Sequence, residues 1–369
     1  MSFYDLLKGY EDLDYDSILG SVTDQDIVRI LNKESIDKWD FLRLLSPKAK
    51  NHLEEIALKA RKLHLKHFGK SIVLFTPMYI ANYCVNRCMY CSYNIDTDIR
   101  RHKMTGEEIE KEAKKIRETE LKNILILTGE DKKNSSVDYI LEAIDIVRKY
   151  FDSVSIEIYP LDREDYKRMV EHGVDGLSIY QETYDPEVYD RVHLSGPKKN
   201  YRYRLEAPER GLSAGIRSLT IGPLLGLSKW EKDSFICGLH LEYLQKKYPE
   251  AELGVSVPRI RPGRINLEDL DHVDDIDLVH ILLAYRIFLP NVGTNITTRE
   301  SQWMRDNLVP ICISKMSAGV TTEVGGHSLE GEDLGGQQFI ISDTRSVDEI
   351  KASLLSKGYQ PVVKNWVRI

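Results

Sequence analysis

Residues 123–160, NILILTGEDKKNSSVDYILEAIDIVRKYFDSVSIEIYP, decide the fold. This stretch contains the apolar run NILILTG, the amphipathic segment VDYILEAIDIVRKY and a second apolar run, SVSIEIYP. Apolar side chains recur at helical spacing in the middle segment, and a short apolar run bounded by turn residues is typical of a buried strand. The order strand, helix, strand predicts two parallel strands joined by a crossover helix.

The same alternation extends in both directions along the chain. Eight short apolar runs are predicted strands: SIVLFTP (71–77), NILILTG (123–129), SVSIEIYP (153–160), GLSIYQE (176–182), RSLTIGPLL (217–225), LGVSVPRIRP (253–262), VGTNITTRE (292–300) and ICISKMSAG (311–319). This count predicts an α/β protein with a (β/α)8 barrel of the TIM type, with an open doubly wound sheet as the alternative. Residues 1–70 are predicted to form an N-terminal helical extension, and residues 71–369 to form the barrel with its C-terminal region.

Composition narrows the functional classes. The chain has 369 residues, 42% hydrophobic and 30% charged, with a net charge of -7. No basic face indicates nucleic-acid binding. No apolar run is long enough to span a bilayer, and the acidic N-terminus lacks the features of a signal peptide. We therefore expect a cytoplasmic protein without a membrane or nucleic-acid partner.

Three of the five cysteines are clustered in NYCVNRCMYCSYN, where they are Cys84, Cys88 and Cys91. In a reducing compartment such a cluster indicates metal binding or redox chemistry. A structural zinc site normally needs four ligands, whereas an iron-sulfur cluster held by three thiolates leaves one iron open to a substrate or cofactor. Cys237, in an apolar helix, and Cys312, in a predicted strand, are expected to be buried small hydrophobic residues.

Polar and charged residues gather where the predicted strands end. TGE (128–130) ends the second strand, and YQET (180–183) ends the fourth. PRIRP (258–262) and TTRES (297–301) end the sixth and seventh strands. In a barrel these ends meet on the C-terminal face, where barrel active sites form.

The string CVNRCMYC resembles the CxxxCxxC motif of the radical S-adenosylmethionine (SAM) enzymes. Longer strings across nearly the whole chain resemble the 2-iminoacetate synthase (tyrosine lyase) family within that superfamily: FTPMYIANYCVNRCMYC, YQETYDPEVYDRVHLSGPKKNY, RLEAPERG, SVPRIRP, TTRES, MSAGVTTEVGGH and FIISDTRS. The resemblance implies a radical SAM barrel with a C-terminal biotin- and thiamine-synthesis-associated region. It also implies one 4Fe-4S cluster with three cysteine ligands, and SAM, as cofactors.

The resemblance further implies a reaction. A radical SAM lyase of this family cleaves the Cα-Cβ bond of L-tyrosine to 2-iminoacetate and p-cresol, while SAM becomes 5'-deoxyadenosine and methionine. The implied partners are L-tyrosine, a thiazole synthase of thiamine biosynthesis and a reductant of the flavodoxin or ferredoxin type. The alternatives are a lyase of tryptophan or another amino acid and a non-catalytic cluster-binding sensor. A sister family, the hydrogenase maturation lyase, holds a second cluster in a C-terminal extension; no cysteine follows Cys312 here, so we expect no ligands for a second cluster.

Site residues are carried over from the resemblance one by one. Cys84, Cys88 and Cys91 are implied as ligands of the cluster, and as such they are the expected catalytic residues. Tyr90 is implied as a contact of the adenine of SAM. The other implied SAM contacts are Thr128, Gly129 and Glu130 at the amino group, and Glu157 and Arg204 at the ribose and carboxylate. Many relatives have glycine where Thr128 stands.

The substrate carboxylate needs a cationic clamp, and we expect Arg299 to be that clamp, with Thr297 and Ser301 as hydroxyl partners. Many relatives have serine where Thr297 stands. Arg259 and Arg261 are weaker candidates that serve equally well as ion-pair partners. Gln181 and Glu182 are expected either to order the barrel mouth or to contact the substrate.

Overall fold

A closed barrel of parallel strands forms the centre of the computed structural model, which describes residues 2–260, 271–329 and 334–364. The barrel strands β1 to β8 are Ser71–Ala81, Asn123–Thr128, Ser153–Glu157, Val174–Glu182, Ser218–Pro223, Glu252–Ser256, Gly293–Ile296 and Lys315–Ser317. Each strand pairs in parallel with the next, and β1 pairs with both β8 and β2. The predicted barrel is confirmed, and the open sheet is excluded.

Several strands are shorter than the sequence pattern indicated; the strand predicted over 253–262, for example, ends at Ser256. The strand predicted over 292–300 ends at Ile296, because the chain then turns and the Glu300 N–H donates to the Thr297 carbonyl, at 3.2 Å. The strand predicted over 311–319 is confined to Lys315–Ser317. The prediction that Cys312 lies in a strand is therefore wrong: its N–H donates to the Leu308 carbonyl, at 3.1 Å. Cys312 is nevertheless fully buried, as expected.

Helices surround the barrel and precede it. The helices α1 to α15 are Phe3–Leu7, Tyr15–Gly20, Asp24–Leu31, Lys38–Leu44, Leu53–His67, Gly106–Arg117, Val137–Val147, Arg163–Glu171, Pro186–Val192, Tyr201–Leu205, Ala207–Ser213, Trp230–Lys247, Asp275–Phe288, Gln302–Leu308 and Val347–Ser356. Short 3-10 helices cover Lys8–Tyr10, Pro47–His52 and Pro197–Lys199. None of the described helices combines the length and the apolar character needed to cross a bilayer.

Local sequence explains where the helices begin and which face they bury. Thr105 and Glu108 form a capping box at the start of α6, and the Ser136 hydroxyl caps α7. These caps satisfy N–H groups that the first turn of a helix leaves without partners. The apolar face of α7 buries Ile140 and Ile144 against the barrel, as its spacing predicts.

The region after β8 returns to the base of the barrel. A short ninth strand, β9 (Gln360–Val362), pairs in parallel with the first residues of β1. Between β8 and α15 the chain crosses the barrel mouth, where the Tyr93 hydroxyl donates to the Thr322 carbonyl, at 3.2 Å, and Asn82 Nδ2 to the Gly336 carbonyl, also at 3.2 Å. This crossing segment ties the loop after β1 to the C-terminal part of the chain.

Candidate active site

The three clustered cysteines lie in the loop that follows β1, at the mouth of the barrel. All three are free thiols; Cys88 is buried, and Cys84 and Cys91 are half-buried. The loop turns so that the Cys91 N–H donates to the Cys88 carbonyl, at 3.3 Å. The Tyr93 N–H donates to Cys91 Sγ, at 3.4 Å, and Asn86 Nδ2 donates to Cys84 Sγ, at 3.6 Å. Hydrogen bonds to sulfur of this kind stabilise thiolates and tune the iron-sulfur clusters that they bind.

The thiols need a cationic group if they are to ionise here. Burial raises the pKa of the Cys88 thiol to about 12, and burial together with the neighbouring Cys84 raises the pKa of Cys91. In the part of the chain that the structure describes, no three histidine, cysteine or carboxylate side chains could hold a single metal ion. A four-iron cluster takes its thiolates on different irons, so three separate sulfurs around one loop fit such a cluster better than a zinc ion.

The end of β2 holds the cysteine loop in place. Asn86 Nδ2 donates to Glu130 Oε2, at 2.6 Å, and the Val85 N–H donates to the Glu130 carbonyl, at 2.9 Å. The Gly129 N–H donates to the Ala81 carbonyl, at 3.0 Å. The Thr128 hydroxyl is buried and has no hydrogen-bond partner among the described residues. Of the residues predicted to meet the SAM amino group, Glu130 therefore binds the cysteine loop directly.

Gly129 has no room for a side chain, and this gives a first prediction. A Cβ atom at Gly129 would lie 2.2 Å from the Tyr83 carbonyl oxygen, next to Cys84, so Gly129→Ala must displace the cysteine loop. We expect the variant to fold and to bind severalfold less iron after anaerobic reconstitution, measured by iron analysis and cluster absorbance. Gly20→Ala is the control, because nothing lies within 4 Å of the added Cβ atom. Equal iron content in the two variants would contradict the prediction.

A buried ion-pair network forms beside the cysteines at the end of β4. Lys198 Nζ lies 2.7 Å from Glu182 Oε1, and Arg204 Nη2 lies 3.3 Å from the same oxygen. Arg204 Nε also donates to the Tyr180 carbonyl, at 2.6 Å. Burial acts to raise the pKa of Glu182, but the charges of Lys198 and Arg204 outweigh burial and hold that pKa below its usual value. Glu182 therefore orders the barrel mouth as a carboxylate.

Tyr90 is fixed by a second network. The Tyr90 hydroxyl lies 2.7 Å from His193 Nε2, and His193 Nδ1 lies 2.8 Å from the Tyr189 carbonyl. Because the carbonyl can only accept, Nδ1 carries the proton and Nε2 accepts from the tyrosine hydroxyl. Burial, with the nearby charge of Lys198, lowers the pKa of His193 to about 3, so the imidazole is neutral. The Tyr90 ring forms part of the wall of the central cavity.

A single cavity runs from this mouth into the barrel and encloses about 1390 Å³ of space free of protein atoms, part of it open solvent. At the mouth it is lined by five residues predicted as site residues and by Glu182 and Lys198. The five are Tyr90, Cys91, Glu157, Thr297 and Arg299. Burial and the charge of Glu182 raise the pKa of Glu157 to about 7, although Arg299 acts in the opposite direction.

Arg299 is half-buried at the cavity wall, and its guanidinium carbon lies 3.6 Å from the centre of the Phe339 ring. Burial lowers the pKa of Arg299, whereas Tyr79 and Tyr180 act to raise it. Stacking of this kind holds a guanidinium in one orientation, and the planar fork of a guanidinium matches the geometry of a carboxylate.

Two other residues predicted near the substrate have structural roles. Ser301 is exposed at the start of α14, does not line the cavity, and its hydroxyl accepts from the Met304 N–H, at 3.3 Å. Arg259 is buried in ion pairs with Glu300 and, at 2.8 Å, with Asp275. The structure therefore brings Thr297 and Arg299 to the cavity but not Ser301. Arg261 lies outside the described residues, and the Gln181 amide is buried without a hydrogen-bond partner among the described residues.

Comparisons with known proteins agree with this geometry. The Radical SAM superfamily model matches residues 78–235, and the model of the Biotin and Thiamin Synthesis associated domain matches residues 256–360. The 2-iminoacetate synthase of Escherichia coli strain K12 is 35% identical over 97% of this chain and 95% of its own length. The chain is a radical SAM protein of the 2-iminoacetate synthase family. The enzyme of the same name from Salmonella typhimurium is 34% identical over the same shares of the two chains.

A solved structure supports the assignment of the barrel. The FeFe-hydrogenase maturase HydG from Carboxydothermus hydrogenoformans matches with a TM-score of 0.86 and 32% identity, over 98% of this chain and 83% of that chain. As a radical SAM protein, this 2-iminoacetate synthase family member uses a 4Fe-4S cluster with cysteine ligands and SAM. The loop after β1 contains three free thiols, the number of cysteine ligands expected for such a cluster.

The structure also places residues in this radical SAM site that the sequence analysis missed. The Tyr79 hydroxyl donates to Gln338 Oε1, at 2.9 Å, and the Tyr180 hydroxyl donates to Ser256 Oγ, at 3.0 Å, and all four side chains line the cavity. The signal for Tyr180 is its place in YQET at the end of the fourth strand; simple alternation does not link it to Glu182, because the register of β4 is irregular between the two residues. No pattern in the sequence points to Lys198, which lies in the short 3-10 helix between α9 and α10.

Proposed function

We propose that this chain is a SAM-dependent lyase that cleaves the Cα-Cβ bond of L-tyrosine, giving 2-iminoacetate and p-cresol. The observation that carries the proposal is the half-buried Arg299, which lines the same cavity as Cys91. A free amino acid presents a carboxylate, and arginine binds a carboxylate through two parallel hydrogen bonds. The 35% identity to a 2-iminoacetate synthase over nearly the whole chain supports tyrosine as the amino acid.

The chain's own residues bind and orient the substrate. Arg299 and the Thr297 hydroxyl hold the carboxylate, and the Phe339 ring fixes the guanidinium. Tyr79 and Tyr180 line the same cavity and provide aromatic surface against which the phenol ring packs. Rigid placement matters here because a radical abstracts any hydrogen within contact distance, so the enzyme must hold the target atom close and exclude water.

The cofactors would lie between the cysteine loop and the ends of β2 to β4. When bound, the reduced cluster and SAM supply a 5'-deoxyadenosyl radical. Cys84, Cys88 and Cys91 are the proposed cluster ligands. The proposed SAM contacts are Tyr90 at the adenine, Thr128, Gly129 and Glu130 near the amino group, and Glu157 and Arg204 at the ribose and carboxylate. Glu182 and Lys198, which surround Arg204, keep that side of the site in one arrangement.

The chemistry of the product indicates a protein partner. We propose that 2-iminoacetate passes to a thiazole synthase in thiamine biosynthesis, because a free imine hydrolyses in water and direct transfer would protect it from hydrolysis. A flavodoxin or ferredoxin would supply the electron. Three free thiols in one loop fit a reducing compartment, and we propose the cytoplasm.

The substrate is tested by direct competition. The reconstituted protein is given dithionite, SAM and equimolar tyrosine and tryptophan without oxygen, and the products are resolved by liquid chromatography. We expect p-cresol from tyrosine and no cleavage product from tryptophan. A tryptophan-derived product in place of p-cresol would reject tyrosine and leave the radical chemistry in place.

A further inference from the structure

The crossing segment between β8 and α15 contains a motif to which the proposed reaction gives no role. Its earlier part lies within MSAGVTTEVGGH (316–327), and its later part contains Gln338 and Phe339, which line the cavity. The Gln338 N–H donates to the Thr322 carbonyl, at 3.1 Å, and the Thr322 hydroxyl donates to the Phe339 carbonyl, at 2.7 Å. Thr322 therefore joins the two parts of the segment through both its backbone and its side chain.

The later part of the crossing segment supports the substrate side of the cavity. The Phe339 ring stacks on the Arg299 guanidinium, and Gln338 Oε1 accepts from the Tyr79 hydroxyl, at 2.9 Å. Phe339 belongs to no helix or strand, so the regular hydrogen bonds of such elements do not fix its backbone. A side chain keeps one orientation only where the groups around it are themselves held, and the Thr322 hydroxyl is such a holding group.

Thr322 is also bonded to the cysteine loop. Its carbonyl accepts from the Tyr93 hydroxyl, at 3.2 Å, and the Tyr93 N–H donates to Cys91 Sγ, at 3.4 Å. Both Thr322 and Tyr93 are buried. One buried residue thus connects a cysteine of the loop to the aromatic ring that stacks on Arg299. The distance between these two sites matters because a radical must meet its target atom at contact distance.

Close packing joins the crossing segment to the loop after β1. The Gly336 N–H donates to the Arg100 carbonyl, at 2.9 Å. A Cβ atom at Gly336 would lie 2.9 Å from Ile99 Cβ, and one at Gly335 would lie 2.7 Å from Val324 Cβ. Both contacts are shorter than real Cβ atoms make, so glycine is needed at each position for the backbones to come this close. The two parts of the segment and the loop after β1 therefore form one packed unit.

We propose that Thr322 is a positioning residue for the substrate site. Its hydroxyl holds Phe339 against Arg299, and its carbonyl, through Tyr93, keeps that arginine at a fixed distance from the cysteine loop. Thr322 does not line the cavity, so it acts through these neighbours and not by contact with the substrate. The role in tyrosine binding rests on the proposed function; the connection itself rests on the hydrogen bonds of Thr322.

The test is Thr322→Val, which removes the hydroxyl and nearly preserves the shape of the side chain. Tyrosine binding is measured by calorimetry on the SAM-saturated holoenzyme without reductant, and KM and kcat are measured from p-cresol formation. We expect the Kd and KM for tyrosine to rise roughly tenfold, because a buried carbonyl loses its donor and Phe339 is released. The kcat, the affinity for SAM and the cluster content should change little. Thr322→Ser keeps the hydroxyl and should restore tyrosine binding to within a few-fold of wild type.

Thr119→Val is the matched control. The Thr119 hydroxyl also donates to a backbone carbonyl, that of Ile116, at 2.7 Å, but Thr119 follows α6 and does not line the cavity. We expect this variant to bind tyrosine as the wild-type protein does. Tyr93→Phe removes the hydrogen bond to the Thr322 carbonyl and keeps the N–H that donates to Cys91, so it should retain iron and bind tyrosine several-fold more weakly.

Four results would overturn the proposal: wild-type tyrosine binding by Thr322→Val, equal weakening by Thr119→Val, no recovery in Thr322→Ser, or a parallel loss of SAM affinity and cluster. Wild-type tyrosine binding by Tyr93→Phe would overturn the connection to the cysteine loop, and this variant decides the matter if Thr322→Val does not fold. Failure of the proposed function is seen separately, as absence of p-cresol while tyrosine binding still depends on Thr322. A wild-type protein that binds no tyrosine overturns both.

Discussion

Cys88→Ala is expected to abolish p-cresol formation and to leave the barrel folded. Cys88 lies in a loop outside the barrel strands, and its side chain is one of three thiols available to the cluster. A cluster with two protein ligands is not held, so cluster absorbance and bound iron should fall to background together with both products of SAM cleavage. The measurements are iron analysis, absorbance and chromatography under anaerobic conditions.

Cys237→Ala is the matched control for this experiment. Cys237 is buried in α12, away from the loop after β1, and burial raises the pKa of its thiol to about 12. We expect this variant to keep its cluster and its activity. Turnover by Cys88→Ala, or loss of the cluster in both variants, would contradict the assignment of the ligands.

Arg299→Gln is expected to lower kcat/KM for tyrosine by roughly a hundredfold or more, mainly through KM. The side chain is half-buried and stacks on the Phe339 ring, the bound substrate carboxylate would be its partner in the closed site, and removing one member of a desolvated charge pair costs about 2–5 kcal/mol. Arg299→Lys should recover only part of this loss, because an ammonium cannot form two parallel hydrogen bonds in one plane. The measurement is steady-state p-cresol formation across tyrosine concentrations.

Arg202→Gln provides the control for Arg299. Arg202 is 57% exposed and pairs with Glu206 within one stretch of chain, so its replacement should leave KM unchanged. Cluster content must stay equal in all of these variants for the comparison to hold. A KM for Arg299→Gln equal to that of wild type would contradict the proposal that Arg299 binds the substrate carboxylate.

Hydrophobic patterning predicted the barrel because most residues of its strands are buried. The run NILILTG became β2 almost unchanged, since both of its faces pack in the interior. The pattern failed where local hydrogen bonds compete with the sheet. Thr297 begins a turn instead of extending β7, and Ser301 caps α14, although its place in TTRES pointed to the substrate.

The site was predictable where its chemistry lies in one short motif. Cys84, Cys88 and Cys91 lie within eight residues of sequence, so their spacing alone indicates that they bind one group together. Lys198 and Phe339 could not be found in this way, because they come from the segment between α9 and α10 and from the segment after β8. Only the folded chain places them beside Glu182 and Arg299, respectively.

The measurement that tests the central claim most directly is the stoichiometry of products in one anaerobic reaction with tyrosine. The holoenzyme is reduced, supplied with SAM, and sampled over time for 5'-deoxyadenosine, p-cresol and glyoxylate, the hydrolysis product of 2-iminoacetate. A tyrosine lyase that uses one SAM for each cleavage forms the three together in equal amounts, and none without tyrosine. Accumulation of 5'-deoxyadenosine without p-cresol from an intact cluster would contradict the account.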